Sequence, residues 1–215
     1  MYSPKWFREG RLKVLQDAVD SISFGTLVTS GRSGILASHI PMLVDRARGD
    51  RGTLFGHLAR GNSQWRESEP GEGLAMFLGS DAYITPAWYK STLETGEVVP
   101  TWNYITVHVR GPVTFFDDDR RLLDVVTKLT NHHEAYSKEP WRVTEAPSDY
   151  IAKELKSIVG FEMEIAKIEG KWKLSQNRSQ ADREGVMAGL MERGLPGDGE
   201  VSREMQAREA GNQSP

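Results

Sequence analysis

No cysteine occurs anywhere in the 215 residues. Disulfides, thiolate metal sites and cysteine nucleophiles are thereby excluded, and a cytoplasmic address becomes the default expectation. No apolar run approaches the ~20 residues that span a bilayer, so no membrane segment is expected. Lys5, Arg8, Arg11 and Lys13 have no apolar stretch behind them, so the N-terminus does not read as a secretory signal. A Walker loop, a G-x-G-x-x-G turn, a zinc spacing, an internal repeat and a helix-turn-helix pattern are also missing. Surplus positive charge is absent too. The net charge is −3, with Lys and Arg interspersed among Asp and Glu. Nucleic-acid binders draw much of their affinity from a basic face, so direct DNA binding is weakly supported.

What is present in excess is a stretch from Tyr83 to Gly111. It reads Tyr83-Ile84-Thr85-Pro86-Ala87-Trp88-Tyr89, a polar loop, then Val99-Pro100-Thr101-Trp102-Asn103-Tyr104, then a strand-like run. Five aromatic side chains sit beside an amide, a histidine and an arginine. Rings clustered in a loop make a satellite core, or they wall a site for a flat heteroaromatic ligand. Buried Trp and Tyr also need a partner for their polar ends.

The remainder supports a mainly β chain with flanking helices (α+β). Leu12, Leu15, Val19 and Ile22 share a helical face. Phe24–Ser30 and Ile35–Val44 read as a hairpin, followed by strands at Thr53–Leu58, Leu74–Leu78 and Tyr104–Phe116. Asp117-Asp118-Asp119 caps a helix that runs to about Tyr136. A second helix is expected over Asp149–Val159, closed by Gly160. Phe161–Ile165 alternates as a strand, Glu169-Gly170 reads as a turn, and Ala181–Arg193 as a helix. One domain is expected over 1–193. The polar segment 194–215 is expected to be disordered. Tyr2, Trp6 and Phe7 predict an N-terminal arm docked on the core.

Several polar groups are candidates for a site, each with a structural alternative. Ser38 is the polar member of a strand face with Leu36, Ile40, Met42 and Val44; its hydroxyl serves either the backbone or a ligand. Arg60 and Asn62 follow a strand, with Asn62 as an N-cap whose helix end could face an anion. Ser175-Gln176-Asn177-Arg178-Ser179 offers either helix caps or ligand contacts.

Tyr83–Tyr89 together with Val99–Tyr104 resembles the signature of the PaiB family of FMN-binding negative transcriptional regulators. Met1-Tyr2-Ser3-Pro4 with Phe7, Ala37-Ser38-His39-Ile40-Pro41 and Lys173-Leu174-Ser175-Gln176-Asn177-Arg178-Ser179 match the same family. The resemblance covers roughly residues 1 to 193. It implies a split β-barrel related to pyridoxamine 5′-phosphate oxidase, a homodimer, and FMN near the subunit interface. It also implies a phosphate site at Arg60, Asn62 and Ser38. The isoalloxazine would then lie against His39, Trp102 and Asn103, with Gln176 and Arg178 closing the site. Ile40 and His57 complete the candidate set. No residue identifies a catalytic acid or base, so enzyme activity is left open. The alternatives are a repressor acting on DNA or a protein partner, and a haem-binding split barrel with His39, His57 or His108 as axial ligand.

Overall fold

The computed structural model describes residues 1–32 and 34–212. In chain order its elements are β1 (Arg8–Glu9), α1 (Leu12–Ile22), β2 (Phe24–Gly31), β3 (Gly34–Asp45), β4 (Thr53–Ala59), α2 (Gln64–Glu67), β5 (Glu72–Ile84), α3 (Ser91–Glu94), β6 (Thr101–Phe116), α4 (Asp119–Glu134), α5 (Ser148–Leu155), β7 (Ile158–Glu164), β8 (Lys167–Lys173), α6 (Gln180–Arg193) and α7 (Asp198–Asn212). The chain forms two compact units. One comprises residues 11–77 and 107–168. The other comprises residues 1–10 and 78–106 and the chain from Glu169 onward. The long strands β5 and β6 each give one half to either unit.

The first unit is a closed antiparallel barrel. Its strands follow the order β5-β2-β3-β4-β7-β6, and β6 lies beside β5 again. Closure leaves no strand edge to solvent. Period-two alternation turns Leu27, Ile40, Met42, Leu54, Leu58, Ala75, Phe161 and Met163 inward, and all are buried. Outside, α4 and α5 cover one side through Leu43, Phe55, Phe116, Leu122, Val125, Leu129 and Leu155. Each such fully buried side chain contributes roughly 1.5–3 kcal/mol. The predicted cap of α4 forms: Asp118 accepts the Arg121 N–H at 2.9 Å. Helix α1 buries Leu15 and Val19 and is tied to β3, where Asp20 accepts the Val44 N–H at 2.9 Å.

Among the described residues, apolar side chains stand exposed on the outer face of β2 and the start of β3. Phe24 is 61% exposed and Ile35 82%, with Ala37 and His39 also exposed beside them.

The second unit is built on the strand order β1-β8-β6-β5. Its helices α6 and α7 carry buried Val186, Leu190, Val201 and Met205. Trp88 seats against α6, where its carbonyl meets Gly185 and its ring meets Gly189. Any larger residue at Gly189 would displace that ring. The N-terminal arm is tied down less by its rings than expected. Phe7 is buried, but Tyr2 and Trp6 are exposed. Polar contacts hold it instead: the Met1 ammonium meets Glu169 at 3.0 Å, and Arg208 meets buried Glu9 at 3.0 Å.

Four boundaries differ from the sequence reading. Helix α5 ends at Leu155, and Val159 and Gly160 belong to β7, paired with Leu58 and His57. Gly160 is required because the Phe116 ring lies over it. Glu169-Gly170 lies within β8, where Gly170 pairs with Glu9. Trp102 and Asn103 lie on strand β6 rather than in a loop. Residues 198–212 form helix α7, where disorder was expected. Val201 and Met205 lie one turn apart on that helix and are buried with Ser202. The expected disorder of residues 213–215 lies outside the described residues. No helix of the described residues is long and apolar enough to cross a membrane.

Candidate functional site

In the barrel unit, the strand ends of β3 and β4 bring together two of the expected residues. Asn62 donates through Nδ2 to the Ser38 hydroxyl at 2.7 Å. Its Oδ1 accepts the Gln64 N–H at 2.9 Å, so the amide closes the turn into α2. That helix is a single turn and Ser63, not Asn62, is its N-cap. Ser38 is buried, and its oxygen accepts from Asn62, which leaves its own proton to give. Gln64 is 2% exposed; its amide donates to Leu27 O and Thr29 Oγ1, and its Oε1 has no hydrogen-bond partner among the described residues. A buried acceptor left in this state is costly unless a donor arrives.

Arg60 is mostly occupied. Its Nε donates to Lys156 O at 2.7 Å and one terminal nitrogen to Ile158 O at 3.1 Å. The other terminal nitrogen meets Asp117 at 3.4 Å, a loose contact. Ile40 is a core residue of the barrel. His39 points to the outer face, its Nδ1 bonded to Thr26 Oγ1 at 2.9 Å. His57 lies on the opposite side of its strand from Leu58, with Nδ1 buried and without a hydrogen-bond partner among the described residues. Burial holds its pKa below the ordinary histidine value, so the ring is neutral at pH 7. His108 is half-buried on β6.

A groove of about 370 Å³ opens in the same unit, with Thr29, Trp65, Ser68, Glu69 and Phe115 among its lining residues. Trp65 is fixed there by its Nε1–H bond to Arg60 O at 3.0 Å. The sequence reading did not single out this groove, because its wall is assembled from three separated segments.

In the second unit the signature motifs meet one another. Asn103 is fully buried; its amide donates to Ser175 Oγ at 3.0 Å and lies 3.6 Å from Met205 Sδ. Gln176 folds back on its own strand, accepting the Leu174 N–H at 2.8 Å and donating to Trp172 O at 2.6 Å. Asn103 and Gln176 are thus committed to holding β6, β8 and the following turn. Tyr89 is 2% exposed, and its hydroxyl is buried close to Ser175 and Arg178. Burial pushes the phenol above its ordinary value, opposed by the Arg178 charge. The Arg178 guanidinium sits 4.7 Å from the Tyr89 ring. Trp102 is 52% exposed and meets Tyr83 edge-on at 5.9 Å. Among the expected residues of this unit, Trp102 and Arg178 retain capacity for a ligand.

No metal-binding group of three or more His, Cys, Asp or Glu occurs among the described residues. The arrangement offers hydrogen-bonding edges, aromatic faces and cations.

Comparison with known proteins adds the family. A family model described as "Putative FMN-binding domain" matches residues 1–167. The chain is 35% identical over 191 residues to Protease synthase and sporulation protein PAI 2 of Bacillus subtilis, covering 88% of this chain and 89% of that one. It is 31% identical over 227 residues to an uncharacterised protein of Emericella nidulans, covering 88% and 90%. Among solved structures, the FAD and heme binding protein of Mycobacterium smegmatis is similar with a TM-score of 0.58 at 18% identity, over 85% of this chain and 80% of that one. The flavocytochrome Anf3 of Azotobacter vinelandii matches with a TM-score of 0.58 at 11% identity, over 78% and 69%. These last two likenesses are of fold.

Proposed function

Because the chain belongs to the PaiB family of FMN-binding split-barrel proteins, we propose that its barrel unit holds FMN through the polar pair Ser38 and Asn62. The observation that carries this reading is the family match over residues 1–167, which contain the whole barrel. The residues fit the cofactor. Ser38 has a proton to donate, Gln64 has a buried acceptor without a donor, and a terminal nitrogen of Arg60 is only loosely held by Asp117. Bound FMN supplies redox chemistry of its own; the protein contributes orientation and hydrogen bonds. Ser38 orients by donating, and Asn62 fixes the Ser38 oxygen so that its proton points one way. Neither Ser38 nor Asn62 is an acid or base at neutral pH, so their role is to bind and orient, and we read the chain as a flavin-binding regulator acting through a partner. The net charge of −3 speaks against direct DNA contact.

Purified protein titrated with FMN should acquire a bound flavin spectrum. Ser38→Ala and Asn62→Ala should each weaken FMN about tenfold, the size of one or two lost hydrogen bonds, with an unchanged far-ultraviolet circular dichroism spectrum. A protein that stays colourless in excess FMN refutes the reading.

The exposed outer face of β2 and β3 is the surface we assign to a second copy of the chain. A two-fold axis brings the same patch onto itself, so Phe24→Glu places like charges opposite each other at its centre. Sedimentation of the wild type as a dimer and of Phe24→Glu as a monomer is the expected result. A wild type that sediments as a monomer at micromolar concentration rules this surface out.

A further inference from the structure

The groove in the barrel unit lies at one mouth of the barrel. Thr29 stands two residues beyond inward-facing Leu27 on β2 and shares its side of the strand. Phe115 faces away from Phe116, which packs outside against α4. Thr29 and Phe115 line the groove together with Trp65, Ser68, Glu69 and Glu72. The ring of Trp65 is pinned by its bond to Arg60 O at 3.0 Å. Barrel mouths are a preferred place for small-molecule sites, and the volume of about 370 Å³ falls within their range.

A hydrogen-bond chain enters this mouth with a fixed direction. The Leu27 carbonyl can only accept, so the Gln64 group that meets it at 3.2 Å is the amide NH2. The same NH2 donates to Thr29 Oγ1 at 3.0 Å. Thr29 is 5% exposed, and its hydroxyl has one further partner among the described residues, the Ser68 hydroxyl at 2.7 Å. A buried proton without an acceptor is costly, so Thr29 donates to Ser68. The Ser68 oxygen is thereby an acceptor toward Thr29, and its own proton is left to the groove that Ser68 lines. Charge sets a second requirement. The lining holds two carboxylates, Glu69 and Glu72, and no Lys, Arg or His among the described residues. Glu72 has a loose partner in Arg110 at 3.6 Å, whereas Glu69 makes no ion pair among the described residues. Arg66 lies 5.2 Å from the Trp65 ring but is not part of the lining.

We propose that this mouth binds a flat nitrogen heterocycle that carries a carbonyl group, with preference for a positive charge on the ring. The carbonyl accepts the Ser68 proton, the ring packs against Trp65 and Phe115, and its charge faces Glu69. The same carboxylates repel an anion. The site is therefore distinct from that of the phosphate-bearing cofactor assigned to Ser38 and Asn62. One residue joins the two: the Gln64 backbone N–H donates to Asn62 Oδ1 at 2.9 Å, while its side chain starts the chain that ends at Ser68.

Three probes of one shape and different charge test the site. They are nicotinamide methylated on its ring nitrogen, which is cationic, nicotinamide itself, which is neutral, and nicotinate, which is anionic. Each is titrated into the full chain by calorimetry. For compounds of this size a dissociation constant of about 1 mM or tighter is expected. The cation should bind best, nicotinamide about threefold weaker, and nicotinate weakest. Ser68→Ala should weaken the first two about tenfold. Glu69→Gln should erase the preference for the cation over the neutral amide. Both positions lie at the rim of the mouth, and neither substitution removes a core side chain. The titrations are repeated with FMN at saturation. The same order of affinities supports a separate site, and loss of all binding in excess FMN overturns it. If the chain takes up no flavin, the order of affinities and its response to the two variants decide alone. No binding of the cation or the neutral amide, nicotinate binding as tightly as the cation, or unchanged affinities in Ser68→Ala overturns the site.

Discussion

Gly111→Ala is expected to leave little folded protein. Gly111 is buried on β6, and a methyl group there would fall inside the carbonyl oxygen of Glu164. The obstacle is backbone, not the movable end of a side chain. The approach is close because the Arg110 carbonyl accepts the Ala166 N–H at 2.9 Å, which holds the turn after β7 against β6. Relief requires β7 to separate from β6, and that pairing, Val113 with Met163 through Phe116 with Gly160, closes the barrel. Overpacking a core commonly costs about 1–3 kcal/mol; against a hydrogen-bonded backbone a loss of roughly 4 kcal/mol or more is expected. Total stability of a domain is only about 5–15 kcal/mol. Gly61→Ala is the control, since nothing lies within 4 Å of a methyl group at that position. Urea unfolding should show a greatly lowered midpoint for Gly111→Ala and almost none for Gly61→Ala. Equal midpoints would mean that the barrel is not closed at this seam.

Asp198→Ala is expected to loosen the C-terminal helix. Asp198 is 1% exposed and begins α7. Arg193 donates to its two oxygens at 2.8 and 2.6 Å, and the Leu195 N–H donates at 2.9 Å. The same guanidinium lies 4.8 Å from the Trp88 ring. Removing the carboxylate leaves a largely buried cation without its partner, which costs about 3 kcal/mol. Val201, Met205 and the pairs Arg208–Glu9 and Arg183–Glu209 still hold the later turns, so the loosening should be greatest at the start of α7. Trypsin should then cut at Arg203 in the variant at concentrations that spare the wild type.

The same pair makes α7 sensitive to acid. The Arg193 guanidinium holds the Asp198 carboxyl below the usual carboxylate range, against the opposing effect of burial. A carboxyl depressed on folding contributes stability that is complete above its unfolded value of about 3.9. That contribution is lost as pH falls through the lower folded value. Amide hydrogen exchange should therefore find wild-type α7 protected at pH 5 and progressively less protected as pH falls below about 4. Asp198→Ala should show weak protection at both values.

Several features were legible in the sequence because they rest on local chemistry. Leu15 and Val19 define the buried face of α1 by spacing alone, and Asp118 caps α4 as its position before an apolar-periodic run requires. The alternation of Phe161 to Ile165 gave the strand β7 and its buried side. Other features depend on partners distant in the chain. Gly160 reads locally as a helix stop, yet it is a strand residue kept small by the ring of Phe116. Residues 198–212 are polar enough to suggest disorder, but Arg193 and Glu9 supply the ion pairs that fix them.

The candidate site divides in the same way. Ser38 and Asn62 are 24 residues apart, and only folding makes them a bonded pair. Asn103 and Gln176 look like ligand contacts in a motif, but their amides satisfy Ser175 and the ends of β8 instead.

By itself the order of residues determined the family, the α+β class, the main strands and the flavin as cofactor, because motifs and periodicity are short-range and survive without coordinates. Which amides are committed to the fold and which glycines cannot grow were decided by the tertiary structure. Each of those depends on what atoms another part of the chain brings within about 3 Å, the range over which hydrogen bonds and steric exclusion act.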